Sequence, residues 1–219
     1  MRREHLQMVV RACGVAIACL TAMPGRAEVL FDNLNAPQPN GSVNFSNTQW
    51  GAQKFMTTTS GTSLSLVSLR LWNPNSTTGG FGIEVWDATG PSGAPGSPVG
   101  NAIYAGLAGN LSNDSSNILT VSNLSFALQP NTAYFLVALG TSLDDQPGGF
   151  GPQPGTLAWN MTDTSPSGAF DGNSSGWAGP VSQNFYMKVE AVPEPSTVAM
   201  ALAGLACGGS SLFRRRRVR

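Results

Sequence analysis

The chain has 219 residues, of which 41% are apolar and 11% charged, and glycine and proline together make up close to a fifth of it. That apolar content, with five Trp and ten Phe, speaks against a disordered chain, and so much Gly and Pro speaks against a helical bundle, because both residues weaken helix interiors. The zero formal net charge is partitioned: residues 28–192 hold only Lys54, Arg70 and Lys188 against ten carboxylates, a poor surface for nucleic acid, and the other basic residues lie in the two ends.

In chain order, the first element is a signal peptide over residues 1–27. Arg2, Arg3 and Arg11 precede the apolar run Ala12–Met23, which is too short to span a bilayer comfortably. Pro24 and Gly25 break the helix, and Gly25-Arg26-Ala27 places small residues at the −3 and −1 positions. Cleavage after Ala27 makes Glu28 the first mature residue. Arg2-Arg3-Glu4-His5-Leu6 loosely resembles a twin-arginine signal, with His5 where an aromatic is usual, so an ordinary Sec signal is the favoured route. A buried N-terminal helix is the alternative, although nothing in the sequence caps it.

Residues 28–191 read as one β domain with period-two patterning. Expected strands are Val29–Leu34, Trp50–Phe55, a run from Leu64 to Leu71, Phe81–Val85, Leu119–Leu128, Tyr134–Leu139, Leu157–Met161 and Phe185–Val189. The continuous run Tyr134–Leu139 suits a central strand buried on both faces. Phase slips near Val67 and at Ser122-Asn123 suit β-bulges. Breakers such as Asn73-Pro74-Asn75, residues 87–100, Gln129-Pro130-Asn131 and residues 146–155 separate the runs. Eight to ten short strands of this kind predict an all-β, two-sheet antiparallel sandwich, jelly-roll-like, with the ends of the domain pairing near each other.

The chemistry available to that domain is narrow. The one histidine, His5, and the three cysteines, Cys13, Cys19 and Cys207, all lie outside it. A Ser-His-Asp or Cys-His nucleophile, a Cys/His zinc site and an internal disulfide are therefore excluded from the body. Carboxylate catalysis remains formally open through Asp144, Asp145, Asp87, Asp163 and Asp171, read as lying in or beside loops. Such residues more often form solvated turns, and glycoside hydrolysis would need two carboxyls facing each other across a cleft. A structural calcium, which takes carboxylates and loop carbonyls as ligands, is the more plausible use of these residues, although no Asp-x-Asp-x-Asp spacing marks a site; no cofactor is expected. Trp72 and Trp86 are out of phase with the apolar residues beside them, so they are the candidate ligand aromatics among Trp50, Trp72, Trp86, Trp159 and Trp177. Burial in a two-sheet fold is the competing account of all five. The Asn-x-Ser/Thr triplets, such as Asn110 and Asn160, are explained by loop composition.

The last element carries the sharpest pattern. Val192-Pro193-Glu194-Pro195-Ser196-Thr197 leads into an uncharged apolar stretch, Val198–Phe213, and then into Arg214-Arg215-Arg216-Arg217-Val218-Arg219. The stretch predicts a short membrane helix over 198–213, with Arg214–Arg217 held in the cytoplasm as a stop. Residues 192–219 resemble the PEP-CTERM sorting signal of bacterial envelope proteins, with Pro193-Glu194-Pro195 as the signature tripeptide. The resemblance implies processing by an exosortase, transient residence in the inner membrane, release to the cell surface or exterior, and an exopolysaccharide-producing host. A plain C-terminal anchor is the alternative, which would need no Pro-Glu-Pro.

The body is similar to the choice-of-anchor bacterial surface domains, in particular the R type. The shared order is the Trp50/Phe55 segment, Ser63–Trp72, Phe81-Gly82-Ile83-Glu84-Val85-Trp86-Asp87, the loop Gly90–Gly96, Leu128-Gln129-Pro130-Asn131-Thr132-Ala133-Tyr134, and Trp177 before the final strand. No catalytic residues come with that pattern. The expected function is a non-catalytic envelope or matrix protein; a carbohydrate-binding module that holds exopolysaccharide is the alternative, and a carboxylate glycoside hydrolase a third reading.

Overall fold

Fourteen short strands and two single 3-10 turns, Pro91–Gly93 and Ala108–Asn110, make up the described chain. The computed structural model describes residues 26–37, 41–143, 156–162, 168–173, 175–181 and 183–193. The helical part of the signal peptide, Asp144, Asp145, Asp163, Glu194, Pro195, the 198–213 segment and Arg214–Arg217 lie outside the described residues. Residues Ala27–Val192 form one compact unit. Among the described residues no helix is long and apolar enough to cross a membrane.

The largest sheet holds six strands. They are β3 (Gln49–Met56), β6 (Gly80–Asp87), β7 (Tyr104–Leu107), β9 (Ala133–Gly140), β11 (Ala169–Asn173) and β12 (Gly176–Val181), in the order β12-β11-β3-β9-β6-β7. The apolar run of β9 places it centrally, paired with β3 through Phe55 and Tyr134 and with β6 through Val85 and Leu136. Alternation gives this sheet two apolar faces. Phe55, Phe81, Ile83, Val85, Tyr134, Leu136 and Ala138 enter the main core. Ala52, Phe135, Val137 and Phe170 form a second cluster with Ala94. Each buried aliphatic or Phe side chain contributes roughly 1.5–3 kcal/mol.

Two smaller sheets supply the rest of the main core. One has the order β1-β14-β4-β8, with β1 (Glu28–Asp32), β4 (Gly61–Leu69), β8 (Leu119–Ala127) and β14 (Met187–Pro193). The other has β10 (Leu157–Thr162) between β2 (Gly41–Phe45) on one side and β5 (Leu71–Trp72) with β13 (Asn184–Phe185) on the other. The fold is thus nearly all β with antiparallel pairing, but three hydrogen-bonded sheets stand where the sequence suggests two. The break has a local cause at Arg70 and Tyr186, which separate β4 from β5 and β13 from β14. The Arg70 N–H donates to the Tyr186 carbonyl (3.2 Å), the Tyr186 N–H to the Asn160 carbonyl (3.0 Å), and the Asn160 N–H to the Arg70 carbonyl (3.2 Å). This closed ring of three bonds replaces a continuous ladder. Arg70 also stacks its guanidinium 4.2 Å from the Tyr186 ring centroid and donates to the Leu34 carbonyl (2.8 Å).

The phase slips in the sequence meet in one bulge. Leu64 pairs with Phe126 and Leu66 with Ser122, so β8 carries the extra residues. Asn123 takes a left-handed φ of 59° there, a conformation its short polar side chain tolerates better than most. The ends of the domain also pair, with Glu28 opposite Ala191 and Asp32 opposite Lys188. Pro180 sits in β12, at an edge of the six-stranded sheet, where a missing N–H costs no ladder bond.

Candidate functional site

The two aromatics singled out in the sequence are not brought together. Trp72 lies on β5 opposite Ala158, half-buried, and its buried indole N–H has no partner among the described residues. Trp86 lies on β6, on the face opposite Ile83 and Val85, as strand alternation requires. There it joins Trp50 of β3 and Trp177 of β12. The ring centroids are 5.8 Å apart for Trp50–Trp86, 6.0 Å for Trp50–Trp177 and 5.8 Å for the edge-on pair Trp86–Trp177. The three half-buried indoles pack on the second apolar cluster, and Trp86 donates its N–H to Glu84 Oε2 (2.8 Å). Trp159, by contrast, is fully buried, stacked on Phe185 at 4.5 Å, and donates to the Tyr186 carbonyl (2.9 Å).

Beside Trp177, the β11–β12 hairpin holds a bulge between Asp171 and Gly172: Asp171 pairs with Gly179 and Gly172 with Trp177. A cleft of about 380 Å³ opens at that bulge, lined by Thr48, Gln49, Asp171, Gly172, Asn173, Ser175 and Ala178. Asp171 faces inward from the middle of β11, not from a loop as the sequence suggests. Burial raises its pKa; the Gln49 side-chain amide, 3.5 Å from Oδ2, and the Gly172 N–H oppose that rise in part. Its buried Oδ1 has no hydrogen-bond partner among the described residues.

Asp87 shows the opposite behaviour. As the last residue of β6 it accepts from the Thr89 hydroxyl (2.6 Å), the Thr89 N–H (3.1 Å) and the Ser97 N–H (3.2 Å), and these bonds lower its pKa. It is a turn former. Among the described residues no three His, Cys, Asp or Glu side chains gather to hold a metal ion.

A stability test follows from Asp171. Its folded-state pKa is raised, so the folded protein binds the proton more tightly than the unfolded chain. That contribution is present below the ordinary carboxylate range and is lost as the pH rises through the raised value. Asp171→Asn is therefore expected to raise the melting temperature at pH 7 and leave it unchanged at pH 3. Thermal melts of the two proteins at both pH values check this; a lower melting temperature for the variant at pH 7 would refute it.

The processing residues lie at the ends of the compact unit. Ala27 is exposed and precedes β1. The Glu28 carboxylate accepts from the Thr58 hydroxyl (2.8 Å) and the Ser60 hydroxyl (3.2 Å), which ties the first strand to the turn before β4. Pro193 is the last residue of β14, two positions beyond Ala191, which pairs with Glu28 of β1.

Residues 191–217 match the family model of the PEP-CTERM protein-sorting motif. The chain carries that sorting signal. The PEP-CTERM signal implies an exported protein that an exosortase processes at the membrane and delivers to the surface. The match lies in the tail, and the choice-of-anchor likeness of the body stays an expectation from its residues. No curated protein matches the chain. Among solved structures, the chain is similar to the cysteine protease and lectin-like domains of Cwp84, a surface-layer-associated protein of Clostridium difficile (TM-score 0.48, 13% identity, 68% of this chain and 33% of that one). It is also similar to the clostridial cysteine protease Cwp84 after propeptide cleavage (TM-score 0.51, 14% identity, 78% of this chain and 41% of that one). The chain thus spans about two fifths of the latter's length, and at such identity the likeness concerns the fold alone.

Proposed function

We propose that the chain is a non-catalytic envelope or extracellular-matrix protein of an exopolysaccharide-producing bacterium. In this reading residues 1–27 direct export and are removed before Glu28. The body, residues 28–191, folds as a jelly-roll-like sandwich outside the inner membrane. The 198–213 segment forms a helix that holds the chain in that membrane while Arg214, Arg215, Arg216 and Arg217 stay in the cytoplasm, because each charge costs about 2.5–3.5 kcal/mol at the bilayer centre. The exosortase then reads Pro193-Glu194-Pro195, and the body passes to the surface and biofilm matrix. The observation that carries the proposal is the sorting motif at 191–217. A non-catalytic body is supported by the absence of Cys and His between residues 28 and 192, which leaves no Cys-His pair for protease chemistry.

The test is the fate of the C-terminus in a host with its own exosortase. Wild-type protein is expected to lose the arginine tail, and a Pro193→Ala, Glu194→Ala, Pro195→Ala variant to keep it while still inserting. Mass spectrometry of the purified C-terminal peptide distinguishes the two. Retention of Arg219 in both proteins would make the segment a plain anchor. The second reading, a carbohydrate-binding module, is supported by the Trp50–Trp86–Trp177 cluster.

A further inference from the structure

We infer that one end of the body, built from Glu28, Met56 and the turns 57–61 and 129–132, is a base that rests on phospholipid headgroups while the tail anchors the chain; this depends on the sorting reading above and gives it an interaction surface. One rung of the β1–β14 ladder fixes the geometry, because Glu28 lies there opposite Ala191. Both processing ends leave the body at that rung. Four residues, 24–27, separate Glu28 from the apolar run ending at Met23, and six, 192–197, separate Ala191 from the stretch beginning at Val198. At about 3.3–3.6 Å per residue, even fully extended tethers reach no more than about 18 and 25 Å. A polar layer of roughly 5–8 Å on each side of the hydrocarbon core takes up part of that reach. What is left is less than the length of the nine-residue strand β4, about 30 Å. The end of the body with this rung therefore faces the bilayer, and the opposite end points away.

The chemistry of that end suits a lipid surface. The Thr58 and Ser60 hydroxyls hold the Glu28 carboxylate and so join β1 to the 57–61 turn. The Asn131 N–H donates to the Thr58 carbonyl (3.2 Å) and the Thr57 hydroxyl to the Gln129 carbonyl (2.7 Å), which knits the two turns together. Both turns, Thr-Thr-Thr-Ser-Gly and Gln-Pro-Asn-Thr, are free of charge, although residues 28–192 carry ten acidic against three basic side chains. Anionic headgroups repel an acidic body, and they do so least through an uncharged end. The carboxylates beside the turns are engaged: Glu28 by those hydroxyls, Glu190 by Lys188 (2.7 Å), and Asp87, two strands across the large sheet from Phe55, by Thr89. Two exposed apolar side chains lie at the same end. Met56, the last residue of β3, is 55% exposed, and Val29, next to Glu28, is 52% exposed. Entry into the headgroup and acyl boundary takes such apolar area out of water.

The test uses the full chain from a host without exosortase, so that the tail stays, in vesicles of phosphatidylethanolamine and phosphatidylglycerol doped with headgroup-spin-labelled phosphatidylcholine. With Cys13 and Cys19 removed in the signal peptide, Cys207→Ser leaves no cysteine, and a fluorophore can be attached at one chosen position. Thr59→Cys marks the base. Asn113→Cys marks the opposite end: Asn113 is exposed and follows Ser112, whose carbonyl accepts the Asn73 N–H just beyond β5. The label at position 59 is expected to be quenched several-fold more strongly than the label at 113. Met56→Glu, which puts a carboxylate at the exposed position, should cut the quenching at position 59 several-fold with the melting temperature unchanged. Equal quenching of the two labels in an inserted chain overturns the base. So does a Met56→Glu protein quenched like its parent, because the tether alone would then place the body. Carbonate extraction reads insertion separately. A chain that it strips from the vesicles overturns the anchor and the base together, whereas an inserted chain with equal quenching rejects the base and leaves the sorting reading standing.

Discussion

Replacing Trp159 with alanine should destabilise the body by about 3–5 kcal/mol, the range for removing a large aromatic from a packed core. Trp159 is fully buried, and its ring stacks on Phe185 at an interplanar angle of 19°. Its indole N–H donates to the Tyr186 carbonyl, as the Arg70 N–H does. The loss therefore combines a cavity, a stacked aromatic pair worth about 0.5–1.5 kcal/mol, and a side-chain bond to the Tyr186 carbonyl, a member of the ring where the ladders switch. For a domain of this size the melting temperature should fall by roughly 6–20 °C. Trp86→Ala, removing a half-buried ring from the smaller cluster, should cost visibly less. Thermal and denaturant unfolding measure both, and a Trp159→Ala loss under about 1 kcal/mol would mean that the main core is not packed as described.

Gly79→Ala is expected to be about as damaging without removing a single contact. Gly79 enters β6 at φ +96°, a region that L side chains rarely adopt, and an added Cβ would stand 2.0 Å from the Ser142 carbonyl oxygen. Its own carbonyl accepts the Ala108 N–H at 2.9 Å, so the backbone is held on both sides. Strain of about 1–3 kcal/mol and overpacking of a similar size should add. Gly93→Ala separates the two contributions, because Gly93 has φ +76° but a Cβ added there would meet nothing within 4 Å. It should show the strain alone. Chemical denaturation of both variants decides the point; equal losses would remove the clash from the account.

The sequence reveals those elements whose alternation is uninterrupted. The runs around Ile83, Leu136 and Trp159 each bury one or both faces, and β6, β9 and β10 stand where those runs predict. It is silent where turn chemistry sits inside a strand. The segments GSVNF, YAGL, AFDGN and GWAGPV form β2, β7, β11 and β12 although Gly or Pro interrupts each. Their pairing comes from neighbouring strands rather than from their own pattern. The tryptophan cluster is hidden for a related reason. Trp50, Trp86 and Trp177 belong to strands that lie near one another only through the sheet order, which no local period encodes. Asp171 resembles Asp87 in sequence, each beside glycine or turn residues, yet one is a hydrogen-bonded turn former and the other faces into a cleft.

The pairing of β1 with β14 also sets how the domain bears mechanical load. β14 runs between β1 and β4, so tension applied at Pro193 against the rest of the body must break bonds on both of its flanks. Tension between the mature N-terminus and the tail meets a different geometry. Glu28 and Ala191 are opposite partners in an antiparallel pair, so that force peels the ladder open one rung at a time from that end. A domain held by its tail while its distant loops are pulled is thus loaded in the stronger direction. Fastening it by both termini would load it in the weaker one.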